Sequence, residues 1–307
     1  MHYQQQITFL YITFLITLSS CPSGNGQHLE IPENFGDYWY QGKAEIASYE
    51  LSQARYGQNN PGHAVLIFVT EDFSKSKQVK LDRPAQNHKD AIKVLKLNAI
   101  RKFNTGMYPY STMTSVFTPV AQSEKLPQQS LKCTFSAQEW CGQVFTQVNK
   151  DKSGYSVQWN SYFESEGDGK KNIKKGWLEN ELWTMIRINP EYLPTGKMEL
   201  IPSLQYSRLT HDDLDAEKAN GELIEKGVYL EYNITYTSID RSLKIRFEKA
   251  YPFKIISWEE SFRSGFGENA KMLTTKAELK SMKYIDYWNH NDSTDIELYQ
   301  ELGLPLY

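Results

Sequence analysis

Residues 228–236 read VYLEYNITY, nine positions in which every even residue is apolar and the odd ones are mostly polar. Successive side chains of a strand point to opposite faces, so this run buries one face and wets the other. Residues 243–248, LKIRFE, repeat the pattern on odd positions, and residues 237–241, with Ser238 and Asp240, supply a turn between them. The pair predicts an antiparallel hairpin. Residues 253–258 add a third strand after Tyr251-Pro252, and 273–284 a fourth, although 277–282 also suits a helix. Composition points the same way. Aromatic residues make up 13% of the 307, with 20 Tyr and 7 Trp, and such residues favour pleated, half-buried surfaces.

Upstream, 38–54, 63–69, 77–81, 93–97, 111–120, 130–137, 143–149 and 154–162 also read as strands. Residues 65–69, VLIFV, lack alternation, so they are expected to be buried on both faces or beneath a helix. Residues 178–188 predict a helix with Leu178, Leu182, Met185 and Ile186 on one apolar face, stopped by Pro190. A second helix is expected over 293–302, with caps from Asn291 to Thr294. Ten or more strands joined by short loops imply antiparallel pairing in a sheet that curls or closes. The expected fold is therefore mainly β with minor α: a curled antiparallel sheet or incomplete barrel packed around or against one or two helices.

The N-terminus carries a different signal. Residues 7–18, ITFLYITFLITL, are too few for a bilayer-spanning helix but fit the apolar region of an export signal. Leu18-Ser19-Ser20-Cys21 follows, an aliphatic residue and two small ones before a cysteine, which resembles the lipobox of bacterial lipoproteins. Small residues let a signal peptidase approach the backbone, and the thiol carries the lipid. The preceding MHYQQQ has no Lys or Arg. The expected organisation is a signal peptide over 1–20, a lipidated tether over 21–36 beginning at Cys21, and one β-rich domain over 37–307. Acyl chains on Cys21 would hold the domain to a membrane surface, at about 0.8 kcal/mol per buried methylene.

A formal charge of −3 gives no reason to expect nucleic acid. Hydrolase, zinc-protease, phosphate-loop and dinucleotide signatures are absent, and neither a metal nor a cofactor is expected. Cys133 and Cys141 would lie about 27 Å apart on one continuous strand, so both are expected to be free, mostly buried thiols. Glu139-Trp140-Cys141-Gly142 sets a thiol beside a carboxylate, and a nucleophile there needs a base from elsewhere, His63 or His211. Glu139, Cys141, His63 and His211 are thus the catalytic candidates, weighed against a buried Cys and Trp at a bulge. His211-Asp212-Asp213-Leu214-Asp215 lacks the glycine of a calcium loop and reads as a solvated acidic loop. The aromatic loop with Asn104, Met107, Tyr108 and Tyr110 is the ligand-binding candidate, for stacking a sugar or covering an apolar cavity; a packed turn is the plainer alternative.

Residues 38–46 (YWYQGKAEI), 48–51 (SYEL), 54–57 (ARYG), 65–73, 104–111 (NTGMYPYS) and 139–142 (EWCG) resemble a family of bacterial lipoproteins often labelled "septum formation inhibitor Maf". The resemblance spans most of the chain after Cys21 and implies an anchored envelope protein with no established activity. Maf pyrophosphatases proper are cytoplasmic α/β enzymes with a Ser-Pro-Arg-Arg-like motif. This chain contains no Arg-Arg pair, so no Maf residue carries over. The expectation is a lipoprotein in the envelope of a Gram-negative bacterium, facing the periplasm. Its β domain would bind a ligand, a lipid or an envelope protein, and the alternative is an envelope hydrolase using Cys141 or a carboxylate pair.

Overall fold

The computed structural model describes residues 31–87, 89–120, 129–174 and 176–306; the expected signal peptide, Cys21 and most of the expected tether lie outside these. The first meander comprises β1 (Ala44–Arg55), β2 (Gln58–Ser74), β3 (Ala91–Thr105), β4 (Tyr108–Pro119), β5 (Lys132–Glu139), β6 (Gly142–Lys150), β7 (Tyr155–Ser161) and β8 (Gly169–Ile173). The second comprises β10 (Gly196–Ile201), β11 (Glu217–Lys226), β12 (Tyr229–Tyr236), β13 (Arg241–Glu248), β14 (Ile255–Ser264) and β15 (Lys271–Ile285). β1 pairs antiparallel with β15, which joins both meanders into one fifteen-stranded sheet running from β8 through β1 and β15 to β9 (Trp177–Leu178). Among the described residues the one parallel pairing is β9 with β10.

Alternation holds where it was clearest. In β13, Arg241, Leu243, Ile245 and Phe247 are buried, and in β5, Cys133, Phe135 and Ala137. β15 is strand throughout, so the helical alternative for 277–282 does not form. β8 and β9 are opposite edges of the ladder, yet residues 174–176 alone separate them, and four chain steps reach about 14 Å at most. Lys171 on β8 meets Asp215, just ahead of β11, at 3.0 Å. The sheet therefore curls until its edges nearly meet, while the ladder stays open, as the alternation predicted.

The concave side holds two helices. α2 (Leu182–Ile188) is buried at all seven positions, which places it inside the curl, since a surface helix keeps one wet face. The expected helix of 178–188 starts late: Leu178 belongs to β9, and a 3-10 turn at Glu179–Glu181 intervenes, where Glu181 accepts the Leu178 N–H. α3 (Leu204–Thr210) was not expected; Ser203 caps it by accepting the Tyr206 N–H. α1 (Phe35–Trp39) tucks Phe35 and Trp39 into the core. On the convex side, α4 (Ile296–Glu301) and the following Leu302 and Leu304 cover Ile46 and Val65. Residues 65–69 are thus sandwiched, with Leu66 and Phe68 facing the interior. Residues 77–81 form a turn joined back by one Phe73–Lys80 bridge rather than a strand, because Asp90 holds Ser74 and Ser76 there.

Charges on the helical segment tie it to particular strands. Arg187 on α2 forms a two-pronged pair with Glu45 on β1, its Nη2 donating to Oε2 at 2.6 Å, both residues being buried. Burial opposes ionisation of Glu45, but the Arg187 guanidinium outweighs it and holds the carboxyl below the usual range. Glu179 pairs with Arg241 on β13, Arg208 on α3 with Glu139 on β5, and Glu181 accepts the Ser130 N–H ahead of β5. Among the described residues no helix is long and apolar enough to cross a membrane.

Candidate functional site

Antiparallel topology gathers the turns after β1, β3, β5, β7 and β14 at one end of the curl, together with the C-terminus of α3. The β1–β2 turn is the two-residue type with positive φ at both Tyr56 and Gly57, the geometry that suits a twisted hairpin. A Cβ on Gly57 would meet the Asn269 carbonyl at 2.7 Å, so this turn packs directly on the β14–β15 turn. An aromatic chain then runs around the end. Tyr108 lies 6.2 Å from Trp140 and 5.2 Å from Tyr110, and the Tyr110 and Tyr56 hydroxyls share a hydrogen bond of 2.8 Å. Tyr56 reaches Phe266 at 6.1 Å, Phe266 reaches His211 at 5.9 Å, and His211 reaches Phe163 at 5.7 Å.

Within this end the candidate residues separate. Tyr110 is buried, stacked 4.7 Å from Phe103, and Tyr108 accepts the Cys141 N–H at 2.9 Å, latching two hairpins together. These two do packing work; Asn104 and Met107 are left exposed at the tip. Cys133 is buried, as expected, but Cys141 is exposed, because it sits in the β5–β6 turn rather than on a strand. His63 is not brought near Cys141. It shares the convex face of β2 with Val65, where burial and the nearby Lys102 and Lys280 lower its pKa.

Glu139 and His211 do converge, through a residue the sequence reading missed. Arg208 Nη2 donates to Glu139 Oε1 at 2.6 Å, its Nη1 lies 3.8 Å from Glu166, and its guanidinium stacks 4.7 Å over Phe163. His211, at the left-handed cap of α3, meets Glu166 Oε1 through Nδ1 at 2.5 Å, which puts the proton on Nδ1. Burial works to raise the Glu166 carboxyl, but bonds from Ser161 and His211 and the Arg208 charge outweigh it and hold it low. Nothing in local sequence marks Arg208. The available signal was its spacing, three residues before His211 on a capped segment.

Beside this cluster a cleft of about 240 Å³ opens between α3 and the concave faces of β6, β7 and β8. Val144, Val157 and Leu204 give it an apolar floor, and Trp159 lies at its side. Glu166, Arg208, His211, Asp212 and Asp213 reach it from the rim. Ser207 also lines it, although Ser207 Oγ and Arg208 Nε, which have no hydrogen-bond partner, are themselves buried and not open to the cleft.

The order Ser207, His211, Glu166 has the composition of a hydrolytic triad but not its wiring. Ser207 Oγ makes no hydrogen bond to His211 or to any other group, so the base–nucleophile contact that such a triad needs is missing. Among the described residues no group of three or more His, Cys, Asp or Glu is arranged to hold a metal ion. The arrangement can orient a polar ligand over an apolar floor. Comparisons with protein-family models, curated proteins and solved structures found no match to this chain.

Proposed function

We propose that this chain is an envelope lipoprotein of a Gram-negative bacterium, anchored through Cys21, whose curled sheet binds a small ligand without transforming it. The observation that carries the binding reading is the cleft between α3 and β6–β8. It has an apolar floor and a few convergent polar groups at its rim, which is the ordinary make-up of a ligand site. A lipid inside the curl is less well supported, because α2 occupies that space with seven buried residues. A cysteine hydrolase is less well supported as well, since His63 lies on β2 away from Cys141 and His211 is engaged by Glu166 through Nδ1.

Two measurements test the proposal separately. Labelling with a palmitate analogue should mark the wild type and not Cys21→Ala, and the variant should leave the membrane fraction; label retained by the variant would end the anchoring claim. Native mass spectrometry of protein taken from its own envelope should show a small co-purifying mass that Ser207→Trp, which fills the cleft, displaces. A mass that persists in that variant would place binding elsewhere.

A further inference from the structure

We propose that one end of the curled sheet docks on an anionic lipid headgroup layer and so orients the domain on its membrane; the choice of a membrane rests on the reading of Cys21 as an anchor. The two ends of the sheet differ in charge. At the end that carries α3, residues 55–58, 104–107, 139–142, 162–168, 202–216, 237–240 and 265–270 hold nine Asp and Glu against two Arg and no Lys. The opposite end is basic beside β2–β8. Residues 75–90, between β2 and β3, hold Lys75, Lys77, Lys80, Arg83 and Lys89 against Asp82 and Asp90. Lys150 and Lys152 at the β6–β7 turn, with Lys174 past β8, extend the patch, and Asp151 opposes them. Residues past β15 are acidic, Asp286, Asp292 and Asp295 among them, which confines the patch to the β2–β8 side.

These segments form one surface. Gln78 donates to the Lys150 carbonyl at 2.7 Å and accepts from Asn149 Nδ2 at 2.7 Å, so the β2–β3 connection lies against the end of β6. Glu71 and Asp72 match Lys80 and Lys93. Among the described residues, Lys77, Arg83, Lys89, Lys152 and Lys174 are exposed and outside any ion pair, so their field reaches into solvent. Val79 and Tyr40 stand exposed beside these cations, with Lys93 Nζ 5.8 Å from the Tyr40 ring centre. Apolar side chains set among Lys and Arg suit the boundary between headgroups and acyl chains.

The route of the chain selects the occupant. Trp39, at the end of α1, accepts the Thr70 hydroxyl on its carbonyl at 2.8 Å, which fixes α1 at this basic end. Ten residue steps from Cys21 to Ile31 reach about 35 Å at most, so an acylated Cys21 keeps this end near the bilayer. The acidic end lies a strand length further, about 40 Å along the twelve residues of β1. Each cation close to an anionic surface strengthens binding about fivefold, within a Debye length of about 10 Å at 0.1 M salt. The patch therefore turns the acidic turns, and the cleft beside α3, away from the membrane.

The test uses the chain from residue 21 with Cys21→Ala, which keeps every described residue and carries no acyl group. Vesicles of phosphatidylcholine with about 30% phosphatidylglycerol should sediment the protein at about 0.1 M salt and release it at about 0.5 M, whereas pure phosphatidylcholine vesicles sediment none. Lys77→Gln, Lys89→Gln and Lys152→Gln together should lower the partition about a hundredfold, at about fivefold per charge. Lys218→Gln, Lys271→Gln and Lys276→Gln, which remove the same charge from β11 and β15, should leave it nearly unchanged. Equal losses in the two triple variants would show net charge acting without a patch and overturn the placement. Equal binding to both kinds of vesicle would overturn the electrostatic basis, and no binding to either would overturn the docking. Patch-dependent binding of a DNA duplex without vesicle binding would overturn the lipid as occupant. Acylation of Cys21 is read separately by the palmitate label, so either claim can fail alone.

Discussion

Glu181 gives the sharpest test of the interior. Its carboxyl is fully buried beside α2, accepting the Leu178 N–H on one oxygen and the Ser130 N–H on the other. Burial pushes it up to about 7, against those two bonds and the attraction of Lys150. The unfolded chain ionises it near 4.5, so between pH 4.5 and 7 the native state holds a proton that the unfolded state has lost. Stability from this group is complete below pH 4.5 and falls as pH rises, by about 1.4 kcal/mol per unit and about 3 kcal/mol in all. Carboxylates held low, such as Glu45 and Glu260, act in the opposite sense and at lower pH. His63, with its lowered pKa, also acts in the opposite sense but within the window, so the difference between two proteins is the clean readout. Glu181→Gln should start about 1–3 kcal/mol less stable, because its amide N–H faces a backbone donor. Urea unfolding followed by tryptophan fluorescence at pH 4.5, 5.5, 6.5 and 7.5 gives both curves. The wild-type stability should fall relative to the variant across that range. Parallel curves would show that Glu181 is ionised in the folded protein and that the burial argument is wrong.

Three further outcomes follow from the packing. Glu45→Gln leaves Arg187 buried without its counter-charge, at a cost of about 3–5 kcal/mol, seen as a melting temperature lower by about 10 °C. Replacing both partners together, Glu45→Leu with Arg187→Met, should recover much of that loss. Gly62→Ala would put a Cβ 2.4 Å from the Lys102 carbonyl, a backbone atom in the next strand that cannot turn aside, so urea unfolding should show a loss of about 1–3 kcal/mol. With Cys21 replaced by Ala, a thiol reagent should label Cys141 in the native protein and reach Cys133 only on unfolding, since burial both shields the Cys133 thiol and pushes its pKa up.

The strands that were legible were those with one wet face. Residues 228–236 and 243–248 write their burial directly in alternation, and β12 and β13 follow it. β8, with two lysines in five residues, and β11, with five charged residues in ten, gave no such signal: they lie near the open seam, where little packs against them. α3 was missed for a related reason. Seven residues with Gln205, Ser207 and Arg208 among them carry no apolar stripe, because their polar atoms are placed against partners from distant strands, as with Arg208 and Glu139. At the site, Glu139 and His211 were legible as residue types, but their meeting depends on Arg208 and on a β7–β8 loop that delivers Glu166. Those are long-range placements that no local spacing encodes.

The buried charges carry a consequence beyond stability. A helix inside a curled sheet faces similar apolar walls on every side, and greasy contacts alone leave it free to rotate or slide. Here Arg187, Glu179, Glu181 and Arg208 each find a partner on, or just ahead of, a different part of the wall: Glu45 on β1, Arg241 on β13, Ser130 ahead of β5, and Glu139 on β5. Any other rotation would bury at least one of these charged or polar groups without its partner, a penalty of several kcal/mol for a charge, so the set specifies a single seating of α2 and α3. That seating leaves α3 against β4 and β5 and away from β6, β7 and β8, and the gap is the cleft. The cleft is therefore fixed by the same pairs that fix the helices, and is in place before a ligand arrives. A preformed site would spare a weakly held ligand the cost of ordering its own pocket, which is what a small binding surface needs to reach measurable affinity.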